Sequence, residues 1–389
     1  RRQLLRLGGA AALSATAGCS LPVRGPAVPR ADAANATVLG VPNERFLIPQ
    51  HMPALISEYE AAFQRRQQRL GGSRTYEMLG VSGGGEDGAF GAGLLNGWSD
   101  HGGRPVFDLV TGVSTGALTA PFAFLGSDWD GPLRSVYTET APGDVLRTRG
   151  ILAALTDDAM ADNEPLFRTI SRHLDQRMLD ALAQGYRDGR LLFVGTANLD
   201  AQVPVTWNVG AIAASGHPGA LDLIRRILLA SAAIPGAFPP VMLDVTVAGR
   251  RYQEMHVDGG AFTQVFLYPR RVTELRRQRI RRGERVLPGR AFIIRNGRLD
   301  PNWAEVDRRT LTIAGRAIST MIGSSGYNDV VRIWNTAERD GVDFNLAFIS
   351  SDFTGTFSEP FEAAYMRALY DYALTRARRG FDWVKRPPL

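Results

Sequence analysis

Apolar and polar positions follow two rhythms from about residue 46 onward. Short apolar runs at Tyr76–Val81, Val106–Gly112, Leu191–Ala197, Tyr252–Val257, Ala291–Arg295 and Phe344–Ile349 predict strands, with 203–209 pairing beside 191–197. Between them, spacing near 3.6 predicts helices over 51–70, Ala89–Trp98, Thr115–Leu125, Leu221–Ala233, 303–322, 324–340 and Glu359–Arg379. The first of these is stopped by Gly71-Gly72. No internal repeat is present. Apolar strands alternating with helices predict one α/β domain over 46–380, a three-layer α/β/α stack around a mainly parallel sheet. In such sheets ligands sit at the carboxyl ends of the strands.

The ends of the chain break this rhythm. Residues 1–19 join Arg1-Arg2, a mild apolar stretch and Ala17-Gly18-Cys19. A positive start, an apolar middle and small residues at a cut site make an export signal, here of twin-arginine type. Ala17-Gly18-Cys19 resembles the end of a bacterial lipobox, which makes Cys19 the expected lipidation site and the protein an exported, membrane-anchored lipoprotein. Thr16 stands where that pattern usually has Leu, and a plain cleaved signal is the alternative. Residues 20–45, rich in Pro, Ala and Asn, predict a flexible tether, and 381–389 a C-terminal tail.

Composition narrows the chemistry. With 389 residues, 44% hydrophobic and 22% charged, the chain lies far from the disordered range. No apolar run reaches the roughly 18 residues of a spanning helix. The net charge of +6 rests almost wholly on arginine, Lys385 being the one lysine. No zinc-finger spacing, RNA-binding motif or basic heptad array accompanies it, so nucleic acid is not an expected partner. The Arg270–Arg285 stretch, with Val272, Leu275 and Ile280, predicts a basic amphipathic helix, either solvated or apposed to a membrane. A single cysteine excludes an intramolecular disulfide. The histidines at 51, 101, 173, 217 and 256 form no i,i+4 pair, and no metal site is expected.

Three motifs fall at strand ends. Gly112-Val113-Ser114-Thr115-Gly116 is a G-x-S-x-G after the strand through Val110. Small residues two before and two after the serine allow a sharp strand-to-helix turn that exposes its Oγ. The following helix aims its positive end at the same place. An ordinary turn with a capping serine is the plainer reading. Gly83-Gly84-Gly85-Glu86-Asp87-Gly88 satisfies the dinucleotide-binding pattern, yet Glu86 and Asp87 would meet a pyrophosphate with negative charge. The acidic residue expected at the next strand end is also missing. Bare backbone amides there suit an oxyanion hole instead. Asp258-Gly259-Gly260 places a carboxylate at a strand end beside an open backbone; a simple Asx turn is its plainer reading.

Together these motifs resemble the patatin-like phospholipases, as does Ser231-Ala232-Ala233 running to Phe238-Pro239-Pro240. The resemblance covers roughly residues 75–270. It implies a lipid acyl hydrolase with Ser114 as nucleophile, Asp258 as its base, and Gly83, Gly84 and Gly85 as oxyanion donors. It implies lipid or phospholipid esters as substrates and no cofactor. The chain departs from the pattern at Asp87, where the family usually has Arg or Lys; Asp87 is expected to cap the following helix. Two other readings stand beside it. One is a Ser–acid–His esterase using Asp200 with His217 or His256; the other is a lipid-binding lipoprotein without activity.

Overall fold

The computed structural model describes residues 24–70, 75–148, 159, 161–284, 286–301, 303 and 305–388. Nine strands make one sheet. They are β1 (Arg45–Leu47), β2 (Tyr76–Val81), β3 (Leu109–Val113), β4 (Leu191–Asn198), β5 (Val203–Asn208), β6 (Val241–Val247), β7 (Arg250–Asp258), β8 (Gly289–Arg295) and β9 (Val342–Phe348). The five at the centre, β4-β3-β2-β8-β9, are parallel. On one side, β5 continues the sheet antiparallel to β4 and carries β1, while β7 joins the end of β4 and carries β6.

The central strands are buried on both faces, which is why they read as continuous apolar runs. Facing helices form two cores. One face holds α2 (Gly88–Asp100), α3 (Thr115–Leu125), α4 (Asp130–Thr138), α5 (Glu164–His173), α6 (Gln176–Arg187), α7 (Ala220–Ser231) and, after the last strand, Ala363–Arg378. The other is covered by α1 (Met52–Leu70) and the later half of a helix over Thr310–Asp340. Arg270–Arg281 is helical, as its pattern predicts. This is the three-layer, single-domain architecture expected from the alternation.

The differences have local causes. Segments 303–322 and 324–340 are not two helices; one helix of 31 residues starts at Thr310. The tether expected over 20–45 is packed from Arg24 onward. Arg24 pairs with Asp200, Gly25 N–H donates to Gln253 Oε1 at 2.7 Å, and Thr37 bridges Thr246. The expected tail is likewise docked: Val384 bridges Leu346, and Trp383 packs 4.9 Å from Trp98 and 5.0 Å from Phe292 between ring centres. Proline-rich composition reports backbone stiffness and not exposure, so it hid both contacts.

A buried charge cluster fastens β1 to β7. Arg45 pairs with Glu254 and donates to Ala36 O at 2.7 Å, and His256 Nε2 lies 3.1 Å from Glu254. Burial opposes charge on Glu254, but the His256 and Arg45 contacts outweigh it and hold the carboxyl at about 2. Removing one partner of such a pair strands the other in low dielectric. Glu254→Ala is therefore expected to lower unfolding stability by about 3–5 kcal/mol in urea titration. A loss below about 1 kcal/mol would mean that Arg45 reaches water without it.

Candidate active site

Ser114 sits where β3 turns into α3, with φ 56° and ψ −129°, a left-handed conformation that side chains avoid. Such a residue stores on the order of 1–3 kcal/mol of strain and needs fixed surroundings. They are supplied by contact. A Cβ on Gly112 would lie 2.4 Å from Gly116 O, and one on Gly116 would lie 2.2 Å from Val81 O. Ser114 N–H donates to Ser231 Oγ at 3.0 Å, and Ser231 Oγ–H donates to Gly195 O at 2.7 Å. Ser231, expected only as part of a sequence resemblance, thus ties the turn to β4.

Sheet register brings Asp258 to the serine. Val113 is opposite Gly195 on β4, and the next residue, Thr196, is opposite Asp258 on β7. Because β5 takes the other edge of β4, β7 begins on the same edge where β3 ends, and Ser114 meets Asp258 at that junction. Gly259 closes the gap, since a Cβ there would lie 2.5 Å from Gly195 O and 3.1 Å from Val113. Gly260 N–H donates to Asp258 Oδ1 at 2.7 Å, and Asp258 N–H donates to Ala233 O at 2.9 Å. Burial pushes the Asp258 carboxyl up to about 6, although the Ser114 side chain and the Gly260 amide stabilise its charge.

The glycine loop follows β2. Gly83 lies against the nucleophile; a Cβ there would sit 3.0 Å from Ser114 Cβ. Its amide, however, donates to Gln264 O at 3.1 Å, which removes it from the expected donor set. The amides of Gly84 and Gly85 have no protein acceptor among the described residues. Gly84 is pressed onto β8's end, where a Cβ would lie 2.0 Å from Asn296 O.

Sequence reasoning passed over Arg295, which is buried at the end of β8. Its guanidinium donates to Ser82 Oγ at 3.1 Å and to Gly83 O at 3.0 Å, while Asn296 Nδ2 donates to Ser82 O at 2.9 Å. Asp87 faces this cation and does not cap α2; its Oδ1 accepts from Tyr365 OH at 2.6 Å. The cation beside the loop comes from a distant strand, which explains how an acid is tolerated at position 87.

An apolar groove of about 870 Å³, its open mouth included, runs from Ser114 and Gly85 past Leu118, Phe122, Ile170 and Phe238. Its size is ample for an acyl chain. Glu86 and His173 are among its few polar groups. Burial, reinforced by Asp87, pushes Glu86 up to about 7. His173 has no hydrogen bond to Ser114 or a carboxylate among the described residues. His256 is buried away from the serine, between Thr196 Oγ1 at 3.0 Å and Glu254. His217 accepts from Gly219 N–H on the surface, and Asp200 is taken by Arg24 and Met255 N–H. The structure therefore assembles no Ser–acid–His triad from the residues considered for one. Cys19 lies outside the described residues.

A parallel α/β/α sheet with a strained strand–serine–helix turn at its carboxyl edge defines a hydrolase-type fold. Residues 79–268 match the family model described as Patatin-like phospholipase. Among solved structures, VipD from Legionella pneumophila is similar at 11% identity and TM-score 0.37, covering 78% of this chain and 67% of that one. Human GIVD cytosolic phospholipase A2 is similar at 11% identity and TM-score 0.31, covering 87% of this chain and 64% of that one, so this chain spans less than two thirds of it. No curated protein matches the chain.

Ser231→Ala removes the acceptor for Ser114 N–H and the donor for Gly195 O in one step. Two buried backbone groups left unpaired cost about 1–3 kcal/mol each. The variant is expected to unfold at clearly lower urea concentration. Unchanged stability would mean that water replaces the hydroxyl without loss.

Proposed function

We propose that the protein hydrolyses lipid ester bonds with Ser114 as nucleophile and Asp258 as its only side-chain base. The match of residues 79–268 to the patatin-like phospholipase model supports lipid acyl hydrolysis. The observation that carries it is the register that places the buried Asp258 carboxyl beside Ser114, next to an apolar groove.

Asp258 accepts the Oγ proton as Ser114 attacks the ester carbonyl. Gly84 and Gly85 amides, with the N-terminus of α3, hold the negative charge that develops on the acyl oxygen. The proton returns to the leaving alcohol, and the acyl group remains on Ser114. Water then repeats the sequence and releases the fatty acid. The acyl chain lies in the apolar groove. A pKa of about 6 suits this base, because it is ionised at neutral pH yet holds a proton better than an exposed aspartate.

Ser114→Ala and Asp258→Asn are each expected to lower kcat on a nitrophenyl ester by at least about 10³-fold, with little further loss in the double variant. A fluorophosphonate should label wild type at Ser114, and His173→Ala and His256→Ala should keep that labelling. Because only the carboxylate form accepts the proton, kcat/KM should fall on the acid side with a midpoint near the Asp258 value of about 6. Glu86→Gln should leave this limb in place. A folded His173→Ala that drops to the level of Ser114→Ala would replace the dyad by a histidine mechanism. An inert wild type would favour a lipid-binding role.

The export reading of residues 1–19 belongs to the same proposal, as does anchorage through Cys19 at the cell envelope. Mass spectrometry of protein from its native envelope should find acyl chains on Cys19, and Cys19→Ala should abolish them. An unmodified N-terminal peptide from envelope fractions would refute the anchor.

A further inference from the structure

Among the described residues, large exposed hydrophobic side chains are distributed very unevenly. Val106 and Ile280 are exposed near the amino ends of the strands. The rest gather at the carboxyl end, where the groove opens. Leu199, Phe262, Trp303 and Phe357 stand in loops there, and Ile313, Ile318 and Met321 on the long helix.

That helix, Thr310–Asp340, divides in two. Its later half packs: Gly326 lies against Arg295, Asp329 accepts from Gln264 N–H at 2.6 Å and from Thr263 Oγ1 at 2.7 Å, and Val330 is fully buried. It ends beside the amino edge of β9. The helix therefore runs antiparallel to the strands, and its earlier half extends beyond their carboxyl ends. At 1.5 Å per residue, Thr310 to Gly326 spans about 24 Å. Surface helices in water normally carry interspersed charges. Here Arg316 is the only charged residue from Thr310 to Asn328. Met321 is 63% exposed, and Trp303, just before the helix, is 87% exposed.

We propose that this half-helix, with Trp303 and the neighbouring loop aromatics, docks the active-site face onto a phospholipid surface. The proposal rests on the acyl-hydrolase reading for its use, though not for its measurement. Three observations select a lipid surface over a second copy of the chain. The apolar side chains stand beyond the carboxyl edge of the sheet, the edge that carries Ser114, so a lipid surface touching them would face the site. The helix offers no acid–base pattern that would fix a protein partner in register. Tryptophan beside a half-helix whose one charge is Arg316 suits the headgroup boundary. No helix of the described residues is long and apolar enough to cross a membrane, so the element lies on the surface.

The test uses the full chain with Cys19→Ala, so that no anchor contributes, and phosphatidylcholine vesicles. Vesicles should shift Trp303 emission to the blue, and Trp303→Phe should abolish the shift. The double variant Ile318→Asp, Met321→Asp touches only exposed positions and should melt like the parent. Its co-flotation with vesicles, and its hydrolysis of vesicle lipid, should each fall at least about 10-fold. Turnover of a dissolved short-chain ester should stay within about 2-fold, because the dyad is untouched. Unchanged flotation in the double variant would overturn the proposal, as would conversion of a dimer to monomer with flotation intact. If wild type and Ser114→Ala both float while neither hydrolyses any ester, docking stands and the enzymatic reading alone falls.

Discussion

Everything at the carboxyl edge depends on how closely the chain can approach itself around Ser114. The serine holds a left-handed backbone, and the residues crossing it are glycines because nothing larger fits. Gly116 lies under β2, Gly112 under α3 and Gly259 over β4. The three contacts tie three strands to one another at the same level. Ser231 then joins the amide of Ser114 to the carbonyl of Gly195. Strain at a single residue is tolerable because the sheet on either side is buried and rigid.

The same tight packing sets the electrostatics. Asp258 is taken out of water, and only the neighbouring hydroxyl and one backbone amide answer its charge. Among the described residues, no cation contributes to lowering its pKa. The arginine that does reach the site, Arg295, is spent on the carbonyl side of the glycine loop. It holds the Gly83 carbonyl, while the amides of Gly84 and Gly85 have no protein acceptor among the described residues. Separation of a loop-bracing cation from an unbraced acid keeps the aspartate basic.

How much of this was legible in the sequence varies by the range of the contact. Strands buried on both faces announce themselves as apolar runs, and the β2, β3 and β4 positions were readable within a few residues. Strand β6 was not, because a half-exposed strand, with Val241, Leu243 and Val245 inward and Met242, Asp244 and Thr246 outward, makes no continuous apolar run. Ser114 and Asp258 could be singled out because glycines mark close approach locally. The roles of Arg295 and Ser231 could not be read, since each acts on a partner more than a hundred residues away. Likewise, Gly83 looked like a donor until its amide met Gln264. Asp87 looked like a cap until Tyr365 claimed it.

The Arg24–Asp200 pair gives the N-terminal segment a fixed point of departure. Asp200 follows β4 at the sheet's carboxyl edge, the edge that carries Ser114. From Arg24 back to Cys19 there is room for only a few extended residues, a leash of at most about 18 Å. A lipid attached at Cys19 would therefore leave the domain little freedom to turn. With such an anchor, the effective concentration of membrane lipid at the carboxyl edge would be set by the length of the leash.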